Sequence, residues 1–490
     1  MQNIQQLADD IQTGAYSQAF SYLYSQKSDA APSRYQQALQ SFQKLFGDGP
    51  DIRLFSAPGR TEVGGNHTDH QHGRVLAAGV DLDVIAVAKK TDTNIIRIQS
   101  KGYPRDVIDL SVLTPQNKEI EHAPALIRGV AARFAQLGYT IGGFDAYTTS
   151  DVLKGSGLSS SAAFEVLVCT MLNHLYNDGR MDPVTAAMVS QYAENVFFKK
   201  PCGLMDQMAC SVGGFVAIDF QDPTHPVIEK VDFDFAQVQH RLCIVDTGGS
   251  HSDLTGEYAA VPAEMKQVAA LFGKQVLREV DEDAFYERLG TLRGQVSDRA
   301  LLRAIHFFND NRRAATLKEQ LKRKDFNGFL QTVKESGRSS LSCLQNVYAS
   351  SAPEEQGLTL ALALSARVLG DRGGYRVHGG GFAGTIQAFV PEDLLPAYQQ
   401  QMEAVFGAGH CHVLNIRPVG GVQVTPQLGA ENCRCKTQRQ LCRHKRQCCR
   451  ILQAWAPCGG QPAGVPGIGK KPISNINQRP ALYRPLVFDL

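Results

Sequence analysis

The sequence lacks any long apolar run, and this absence bears on where the protein works. None of its 490 residues lies in a stretch of about 18 or more consecutive apolar residues, the length that a membrane-spanning helix needs. The start, MQNIQQLADD, has neither the basic segment nor the apolar segment of a secretory signal. We therefore expect a cytoplasmic protein with no membrane partner.

Cysteine is sparse over most of the chain. The six cysteines before residue 430 are scattered singly, as in proteins of a reducing compartment: Cys169, Cys202, Cys210, Cys243, Cys343 and Cys411. With 43% hydrophobic and 20% charged residues, the composition is that of an ordinary soluble globular enzyme.

Residues 430–490 differ in composition from the rest. They hold the other six cysteines, the only tryptophan (Trp455), and 11 Lys/Arg against 2 Asp/Glu, whereas the remainder holds 39 against 46. No C-x-x-C pair is present, so a zinc module is not expected. Such a basic tail could bind nucleic acid. We expect instead a disordered segment, or even out-of-frame translation past an altered stop, with no nucleic-acid partner and no part in catalysis.

The rest of the chain predicts a two-domain α/β (α+β) enzyme. Residues 1–40 form a helical N-terminal extension within two polar amphipathic helices that reach to about residue 45, of which YQQALQSFQKLFG is the clearer. In residues 41–230, strands such as DLDVIAVAKK and NIIRIQS alternate with helices such as APALIRGVAARFAQLG and AAFEVLVCTMLNHLYN. Residues 231–429 begin with the strand RLCIVDT, include the helix LTLALALSARVLG, and end on the strands GTIQAFV and HCHVLNIRPV.

A glycine- and serine-rich segment is the first candidate for phosphate binding. GSGLSSSAAFEVL, residues 155–167, follows the strand-like FDAYTTS and opens an apolar helix. Glycines allow close backbone approach, and a helix N-terminus offers free N–H groups to an anion. A capped junction between loop and helix is the alternative. Because no G-K-[ST] follows and Ser160 stands where the third glycine would be, it is neither a Walker A loop nor a dinucleotide-binding motif.

Two other segments carry candidate chemistry. VHGGGFAGTIQAF, residues 377–389, places four glycines before a strand, which indicates either a tight turn or a second part of a ligand site. KKPCGLMDQMAC, residues 199–210, places Asp206 among small and apolar residues, 12 positions after Glu194 in the helix-like VSQYAENVFF. A lone aspartate in that setting is otherwise a turn or cap residue.

The most polar segment, GGNHTDHQHG at residues 64–73, raises the question of a metal site. His67, Asp69, His70 and His72 are all of ligand type, but they are local, and a zinc site draws three or four ligands that converge from more than one segment. No second His/Cys set is positioned to help, so zinc is not expected.

Together these segments resemble the GHMP kinases of sugars and isoprenoids, and among them the galactokinases most closely. The galactokinase signature is similar to APGRVNLIGEHTDYNGG, where this chain has APGRTEVGGNHTDHQHG. The family's phosphate loop resembles GLSSSAA at 157–163, its CGIMDQ segment resembles CGLMDQ at 202–207, and its GGGFGG segment resembles GGGFAG at 379–384. A GEY at 256–258 also looks like the family's. The resemblance covers residues from about 40 to about 425.

This resemblance implies phosphoryl transfer from ATP to the C1 hydroxyl of a hexose, D-galactose, with Mg²⁺. The implied fold has an N-terminal domain like ribosomal protein S5 domain 2 and a ferredoxin-like C-terminal domain. The protein is expected to be a monomer. Asp206 is the implied general base and Arg60 the catalytic residue beside it; an adjacent arginine keeps an aspartate ionised but makes it a weak base.

The resemblance also implies residues for each ligand. The sugar-binding set is Asn66, His67, Asp69, Gly203, Asp206 and Tyr258. The ATP-binding set is Gly155, Ser156, Gly157, Leu158, Ser159, Ser160, Ser161, Ala162, Gly380 and Gly381. The Mg²⁺ set is Ser160, Ser161 and Glu194, whose hydroxyl and carboxylate oxygens are the hard ligands that Mg²⁺ prefers. His70 and His72 are expected at the surface or behind the sugar.

Four positions depart from the family pattern. Asn66 replaces a glutamate, Glu62 an asparagine and His378 a threonine, and Ala383 interrupts the glycines. Since Asn66 lies in the expected sugar site, N-acetylgalactosamine and L-arabinose are alternative substrates. The basic tail also leaves a non-catalytic sensor of galactose and ATP as an alternative function. We expect D-galactose to remain preferred, and Asn66→Glu to tighten its binding or narrow the range of sugars.

Overall fold

A computed structural model describes residues 2–152, 157–200, 202–249 and 254–430. Expectations for Gly155 and Ser156, and those for residues 431–490, lie outside the described residues. Residues 1–430 form one compact unit. The expected domain boundaries near residues 40 and 230 stay a prediction.

The described residues form thirteen α-helices and twelve β-strands. The helices are α1 (Ile4–Gln12), α2 (Ser17–Tyr24), α3 (Ala31–Phe46), α4 (Ala123–Gln136), α5 (Ser160–Tyr176), α6 (Pro183–Tyr192), α7 (Met205–Val212), α8 (Thr255–Ala270), α9 (Glu282–Leu292), α10 (Asp298–Arg323), α11 (Phe326–Ser339), α12 (Gly357–Leu369) and α13 (Leu395–Phe406). The strands are β1 (Ile52–Gly64), β2 (Arg74–Lys90), β3 (Ile95–Ser100), β4 (Arg105–Asp109), β5 (Phe144–Ser150), β6 (Phe215–Asp219), β7 (Val227–Val231), β8 (His240–Asp246), β9 (Gly374–Val377), β10 (Thr385–Pro391), β11 (Cys411–Leu414) and β12 (Val422–Val424).

Every helix and strand that the sequence predicts in residues 52–430 is present. The N-terminal expectation was wrong in number, because three α-helices rather than two precede β1. Gly14, at φ +84°, separates α1 from α2, Ser25 ends α2 at φ +48°, and Pro32 lies in the first turn of α3. Residues in the left-handed conformation commonly end helices, and proline is common in the first turn of a helix.

These three helices pack on the first sheet. Their buried faces share a hydrophobic cluster with β1, β2, β5 and β12, through residues such as Phe20 and Phe42 against Leu54, Ile85 and Val424. Because all five side chains are at most 2% exposed, the N-terminal helices form part of the hydrophobic core.

The first sheet has eight strands in the order β12-β1-β2-β5-β3-β4, with β6 paired to β2 and β7 to β6. The long strand β2 pairs with β6 along residues 74–78 and with β5 along residues 84–90. All pairs are antiparallel except β3 with β5. Strand β1 changes register against β2 between Pro58 and Arg60. Such bulges redirect side chains, and this one lies at Arg60.

The second sheet has the connectivity that the family resemblance implies. Its four antiparallel strands follow the order β11-β8-β10-β9, and α13 connects β10 to β11. Helices lie between β8 and β9, so the sequence of elements is β-α-β-β-α-β, the ferredoxin-like arrangement. Helices α12 and α13 pack on this sheet around Tyr398 and Met402. The mixed α/β fold class is therefore confirmed.

Two further expectations concern the whole chain. Among the described helices, none is long and apolar enough to cross a membrane. The six cysteines at Cys169, Cys202, Cys210, Cys243, Cys343 and Cys411 are all free thiols.

A buried ionic cluster around Asp83 joins the N-terminal helices to the sheet and to the end of the fold. The carboxylate of Asp83 accepts hydrogen bonds from Tyr24 and Arg34 in the helices, from Ser56 in β1, and from Arg417 after β11. Asp83 and Arg417 have no exposed surface. Burial alone would raise the pKa of Asp83, but the charges of Arg34 and Arg417 outweigh it and hold the pKa below its usual value.

We predict that Asp83→Asn lowers the free energy of unfolding by about 3–5 kcal/mol at pH 7, since it leaves buried arginine charge unpaired. The lowered pKa means that this stabilisation is present above about pH 3.9, the unfolded value, and is lost as pH falls through the folded value. Urea unfolding of both proteins should show a constant difference from pH 5 to 8 and a smaller one below pH 4. The exposed Asp29→Asn is the control, and an equal loss there would contradict the prediction.

Candidate active site

An ion pair between Arg60 and Asp206 joins β1 to the first turn of α7. Arg60 Nε and Nη2 donate to the two carboxylate oxygens of Asp206 at 2.8 and 2.7 Å. Its Nη1 donates to the carbonyl oxygen of Gly157, and its backbone N–H donates to the carbonyl oxygen of Leu158. The two implied catalytic residues are thus in contact, although 146 positions separate them in the sequence.

Asp206 is held in its ionised form. Burial would raise its pKa, but the charge and hydrogen bonds of Arg60, together with a hydrogen bond from Ser159 and the charge of Lys200, hold the pKa below its usual value. Ser159 Oγ donates to Asp206 Oδ2, so this residue of the expected phosphate loop contacts the expected base directly. A carboxylate in this state can orient a hydroxyl and accept its proton late in a reaction.

The N-terminus of α5 lies beside this pair and at the edge of a cleft. No side chain among the described residues caps α5, which begins at Ser160 and runs for 17 residues. Ser160 and Ser161 line one side of a cleft of about 700 Å³. Free N–H groups and the positive end of the helix dipole suit an anion. Leu158 and Ala162 are buried in the core at this junction.

The cleft also has lining residues that the sequence analysis missed. The polar and aromatic ones include Lys101, Tyr103, Asp106, Lys118, His122 and Thr149. They come from the turn between β3 and β4, from β4, from β5 and from the segment before α4. Nothing in their local sequence pattern therefore connects them with residues 155–161.

The two glycine segments meet. A Cβ added to Gly379 would come within 3.9 Å of the Cα of Gly157, and one added to Gly157 within 3.1 Å of His378 Nδ1. Residues 379–381, which we call the glycine loop, therefore lie against the expected phosphate loop. Gly381 has φ +81°, and a Cβ there would lie 2.0 Å from the carbonyl oxygen of Asn346.

Three residues of the implied sugar set hold the glycine loop. Asn66 Nδ2 donates to the carbonyl oxygen of Gly379 at 2.8 Å, His67 Nε2 contacts that of Gly380 at 2.9 Å, and Tyr258 donates to that of Gly381 at 2.7 Å. Burial lowers the pKa of His67 to about 4. The ring is therefore neutral near pH 7, and since a carbonyl oxygen only accepts, Nε2 is its donor.

Asp69 and Gly203, two further members of the implied sugar set, lie close to each other. A Cβ on Gly203 would stand 2.7 Å from Asp69 Oδ2, so the glycine leaves room for that carboxylate. Asp69 Oδ1 accepts from the backbone N–H of His70, whose side chain is 46% exposed. Residues 2–152, 157–200, 202–249 and 254–430 contain no group of three or more His, Cys, Asp or Glu side chains placed to hold a metal ion.

Glu194 and Ser161, two of the implied Mg²⁺ residues, are neighbours. Ser161 Oγ donates to Glu194 Oε1 at 3.3 Å, and Lys200 Nζ donates to the same oxygen at 3.1 Å. Glu194 follows α6 in a π-helical turn, Ala193–Phe198, and is 3% exposed. Ser160, the residue before Ser161, is the first residue of α5.

A second buried carboxyl group, Glu165, stands behind Glu194 and was missed from the sequence. Gln207 Nε2 donates to Glu194 Oε2 at 2.7 Å and to Glu165 Oε2 at 3.1 Å. Burial, followed by the charge of Glu194, raises the pKa of Glu165 well above its usual value. A charged residue inside the apolar helix FEVLVCTML was the one local signal for it.

Two family models and a curated relative match the sequence of this chain. The galactokinase galactose-binding signature matches residues 40–90, and the GHMP kinases N terminal domain matches residues 125–214. A galactokinase from Streptomyces coelicolor is 32% identical over 375 residues, which are 75% of this chain and 92% of that protein.

Solved structures share the fold. Galactokinase of Lactococcus lactis, complexed with galactose, matches with a TM-score of 0.68 at 20% identity, over 80% of this chain and 100% of that one. Mevalonate kinase of L. major, in complex with R-mevalonate, matches with a TM-score of 0.50 at 14% identity, over 76% of this chain and 97% of that one. At these identities the likeness shows the fold.

We predict that Gly381→Ala destabilises the protein more than Gly379→Ala. Both glycines have positive φ, +81° and +66°, so both variants lose about 1–2 kcal/mol to left-handed backbone. Only the Cβ at 381 also meets the carbonyl oxygen of Asn346, and such overpacking costs about 1–3 kcal/mol more. Urea unfolding measures both, and equal losses would show that the glycine loop is not packed against Asn346.

Proposed function

This chain belongs to the galactokinase family of GHMP kinases, and we propose that it transfers the γ-phosphoryl group of ATP to the C1 hydroxyl of D-galactose at the Arg60–Asp206 site. The observation that carries the proposal is the position of Asp206. An ionised carboxylate, paired with a buried arginine, touches Ser159 at the N-terminus of α5. A base beside an anion-binding helix terminus is the arrangement that phosphoryl transfer to a hydroxyl requires.

The proposed ATP site combines the α5 N-terminus with the cleft. The cleft has a volume of about 700 Å³, which is within the range of small-molecule and cofactor pockets. The phosphates would lie at residues 157–162 and the glycine loop, and the adenosine in the cleft near Tyr103. Lys101 and Lys118, which line the cleft, supply positive charge for the anionic substrate.

Mg²⁺ fits the residues at Glu194. Ser161 Oγ and Glu194 Oε1 are hard oxygen atoms 3.3 Å apart beside the α5 N-terminus. Mg²⁺ is commonly bound by one or two protein groups together with substrate phosphates, so a larger protein cluster is not required. We propose that Ser160, Ser161 and Glu194 hold the ion, which when bound neutralises charge on the phosphate oxygens.

The proposed sugar site lies between Asp69 and Asp206. Asp69 and the space left by Gly203 would receive sugar hydroxyls, and Asp206 would contact O1. In the described conformation the polar atoms of Asn66, His67 and Tyr258 bond to the glycine loop. Asn66 and Tyr258 would therefore hold the glycine loop in place and would not contact the sugar directly. His67 Nδ1 remains a candidate acceptor for a sugar hydroxyl.

The proposed reaction is a direct displacement. O1 of galactose forms a bond to the γ-phosphorus as the bond to the β,γ-bridging oxygen breaks, and ADP leaves with that electron pair. The proton of the C1 hydroxyl passes to Asp206 late in the transfer, because Arg60 makes this carboxylate a weak base. Most of the catalysis then comes from positioning.

We also propose that the enzyme is cytoplasmic and acts as a monomer. Free thiols at the six described cysteines fit a reducing compartment. One chain supplies every residue of the proposed site, so no partner subunit is needed to complete it.

A panel of sugars tests the function. Purified protein, ATP and Mg²⁺ are incubated with D-galactose, D-glucose, N-acetylgalactosamine or L-arabinose, and sugar 1-phosphate is measured. We expect the highest kcat/KM for galactose. A higher kcat/KM for another sugar would identify that sugar, and not galactose, as the substrate. Binding of galactose and ATP without any product would favour the sensor alternative.

We predict that Asp206→Asn lowers kcat by about 10²- to 10⁴-fold, the usual contribution of a positioned base. The amide still fills the site, so KM for galactose should change little. Because the pKa of Asp206 is lowered, wild-type kcat/KM should stay level down to about pH 4. In Arg60→Gln, burial acts without the arginine charge, so the acid limb should move to higher pH. A kcat within threefold of wild type in Asp206→Asn would remove it from the mechanism.

A further inference from the structure

A buried polar cluster joins Glu62 and Asn66, two of the four positions where the sequence departs from the family pattern. Glu62 and Asn66 are 4% and 0% exposed. Asn66 Nδ2 donates to Glu62 Oε1 at 3.0 Å, and Arg376 Nη2 donates to the same oxygen at 2.9 Å. One carboxylate oxygen of Glu62 therefore accepts hydrogen bonds from both a buried amide and a buried guanidinium.

Glu62 carries the charge compensation of Arg376. Arg376 in β9 has no exposed surface, and Glu62 is its ion-pair partner. Its Nε and Nη1 have no hydrogen-bond partner within the described part of the chain. Removing the negative charge at position 62 would leave this buried guanidinium without its ion-pair partner, although the charge of Asp310 also acts on it. Breaking a buried ion pair in this way is strongly destabilising.

The side chain of Asn66 is fully used by the protein. Its two N–H groups donate to Glu62 and to the carbonyl oxygen of Gly379, and its Oδ1 accepts from Asn346 at 2.8 Å and Ser340 at 3.3 Å. An amide has two donors and one acceptor oxygen. Asn66 therefore acts through the groups that it positions.

These contacts form a continuous path from Arg376 to the glycine loop. Arg376 binds Glu62, Glu62 orients the Asn66 amide, and Asn66 holds Gly379. Asn346 reinforces the path, because its Nδ2 donates to Asn66 Oδ1 and to the carbonyl oxygen of Gly380 at 3.0 Å. The next residue after Asn66, His67, contacts the same Gly380 carbonyl.

We propose that Glu62 and Asn66 act as one unit of positioning residues that holds the segment carrying His67 and Asp69 against the glycine loop and thereby determines sugar affinity. The proposal rests on the proposed function. It assigns the carboxylate at 62 and the amide at 66 as an exchanged pair, since the family has an amide at 62 and a carboxylate at 66. A single exchange at either position then leaves the pair with two carboxylates or with none.

This arrangement reverses the expectation for Asn66→Glu. A second carboxylate at 66 would face that of Glu62 across the present 3.0 Å hydrogen bond, and two like charges at that distance repel. Glu62→Asn alone removes the charge partner of Arg376. The double variant Glu62→Asn/Asn66→Glu again has one carboxylate and one amide and so restores a single negative charge to the cluster, but a glutamate at 66 cannot donate to the carbonyl oxygen of Gly379.

A double-mutant cycle tests the proposal. Wild type, Glu62→Asn, Asn66→Glu and the double variant are compared by kcat, KM for galactose, KM for ATP and thermal midpoint. We expect each single variant to raise KM for galactose by about 10- to 100-fold, the effect of leaving a buried polar or charged group unpaired, with a smaller change in kcat. The double variant should have a KM for galactose at least about threefold below that of the worse single variant without reaching the wild-type value, because the charge is restored but the hydrogen bond to Gly379 is not. Such non-additivity shows that the two positions are coupled.

Asp145→Asn is the matched control. Asp145 is 3% exposed and accepts two hydrogen bonds from Arg97 at 2.6 and 2.9 Å, in a pair that joins β5 to β3 and includes no residue of the proposed sugar site. Losing this pair should lower the thermal midpoint and leave KM for galactose unchanged. If Glu62→Asn is not recovered folded, Glu62→Gln takes its place in both the single and the double variant.

Three results would overturn the proposal: single effects that multiply in the double variant, an unchanged KM in the variant at 62, or tighter galactose binding in Asn66→Glu alone. Failure of the proposed function is a separate result, because it appears in wild type as absent turnover of galactose. If wild type prefers another sugar of the panel, the cycle is measured with that sugar.

Discussion

The bidentate ion pair between Arg60 and Asp206 is the interaction on which the site depends. It fixes a bulge of β1 to the first turn of α7, and through the carbonyl oxygens of Gly157 and Leu158 it also fixes the start of α5. One side chain thus sets the position of Asp206, the proposed base, relative to the helix terminus. Its charge also decides the ionisation of Asp206 against the opposing effect of burial.

Buried polar networks recur at the joints of this fold. The cluster at Asp83 joins the N-terminal helices, the first sheet and the segment after β11, and the cluster at Glu62 joins β1, β9 and the glycine loop. Polar groups without water must find partners in the protein, so each network specifies one arrangement of the elements that it joins. Loss of a single member therefore lowers the stability of the fold strongly.

The carboxyl groups of Glu165 and Asp206 show how position shifts the pKa of one chemical group in opposite directions. Asp206 faces Arg60 and has a lowered pKa, whereas Glu165 is buried next to Glu194 and has a raised one. Gln207 stands between the two glutamates and bonds to both. Such separation of pKa values within one site is characteristic of catalytic centres.

The sequence by itself determined the elements and the local motifs. Strand β2, helix α5 and the glycine segments are visible because periodicity and loop composition are local properties. The tertiary structure alone decided which residues meet. Asn346, Arg376 and the cleft residues carry no local signal, and Asn66 matches a sugar-site position yet bonds only to protein. Contacts between residues some 280 positions apart, as between Asn66 and Asn346, depend on how the sheets and helices pack, and no spacing in the sequence encodes that.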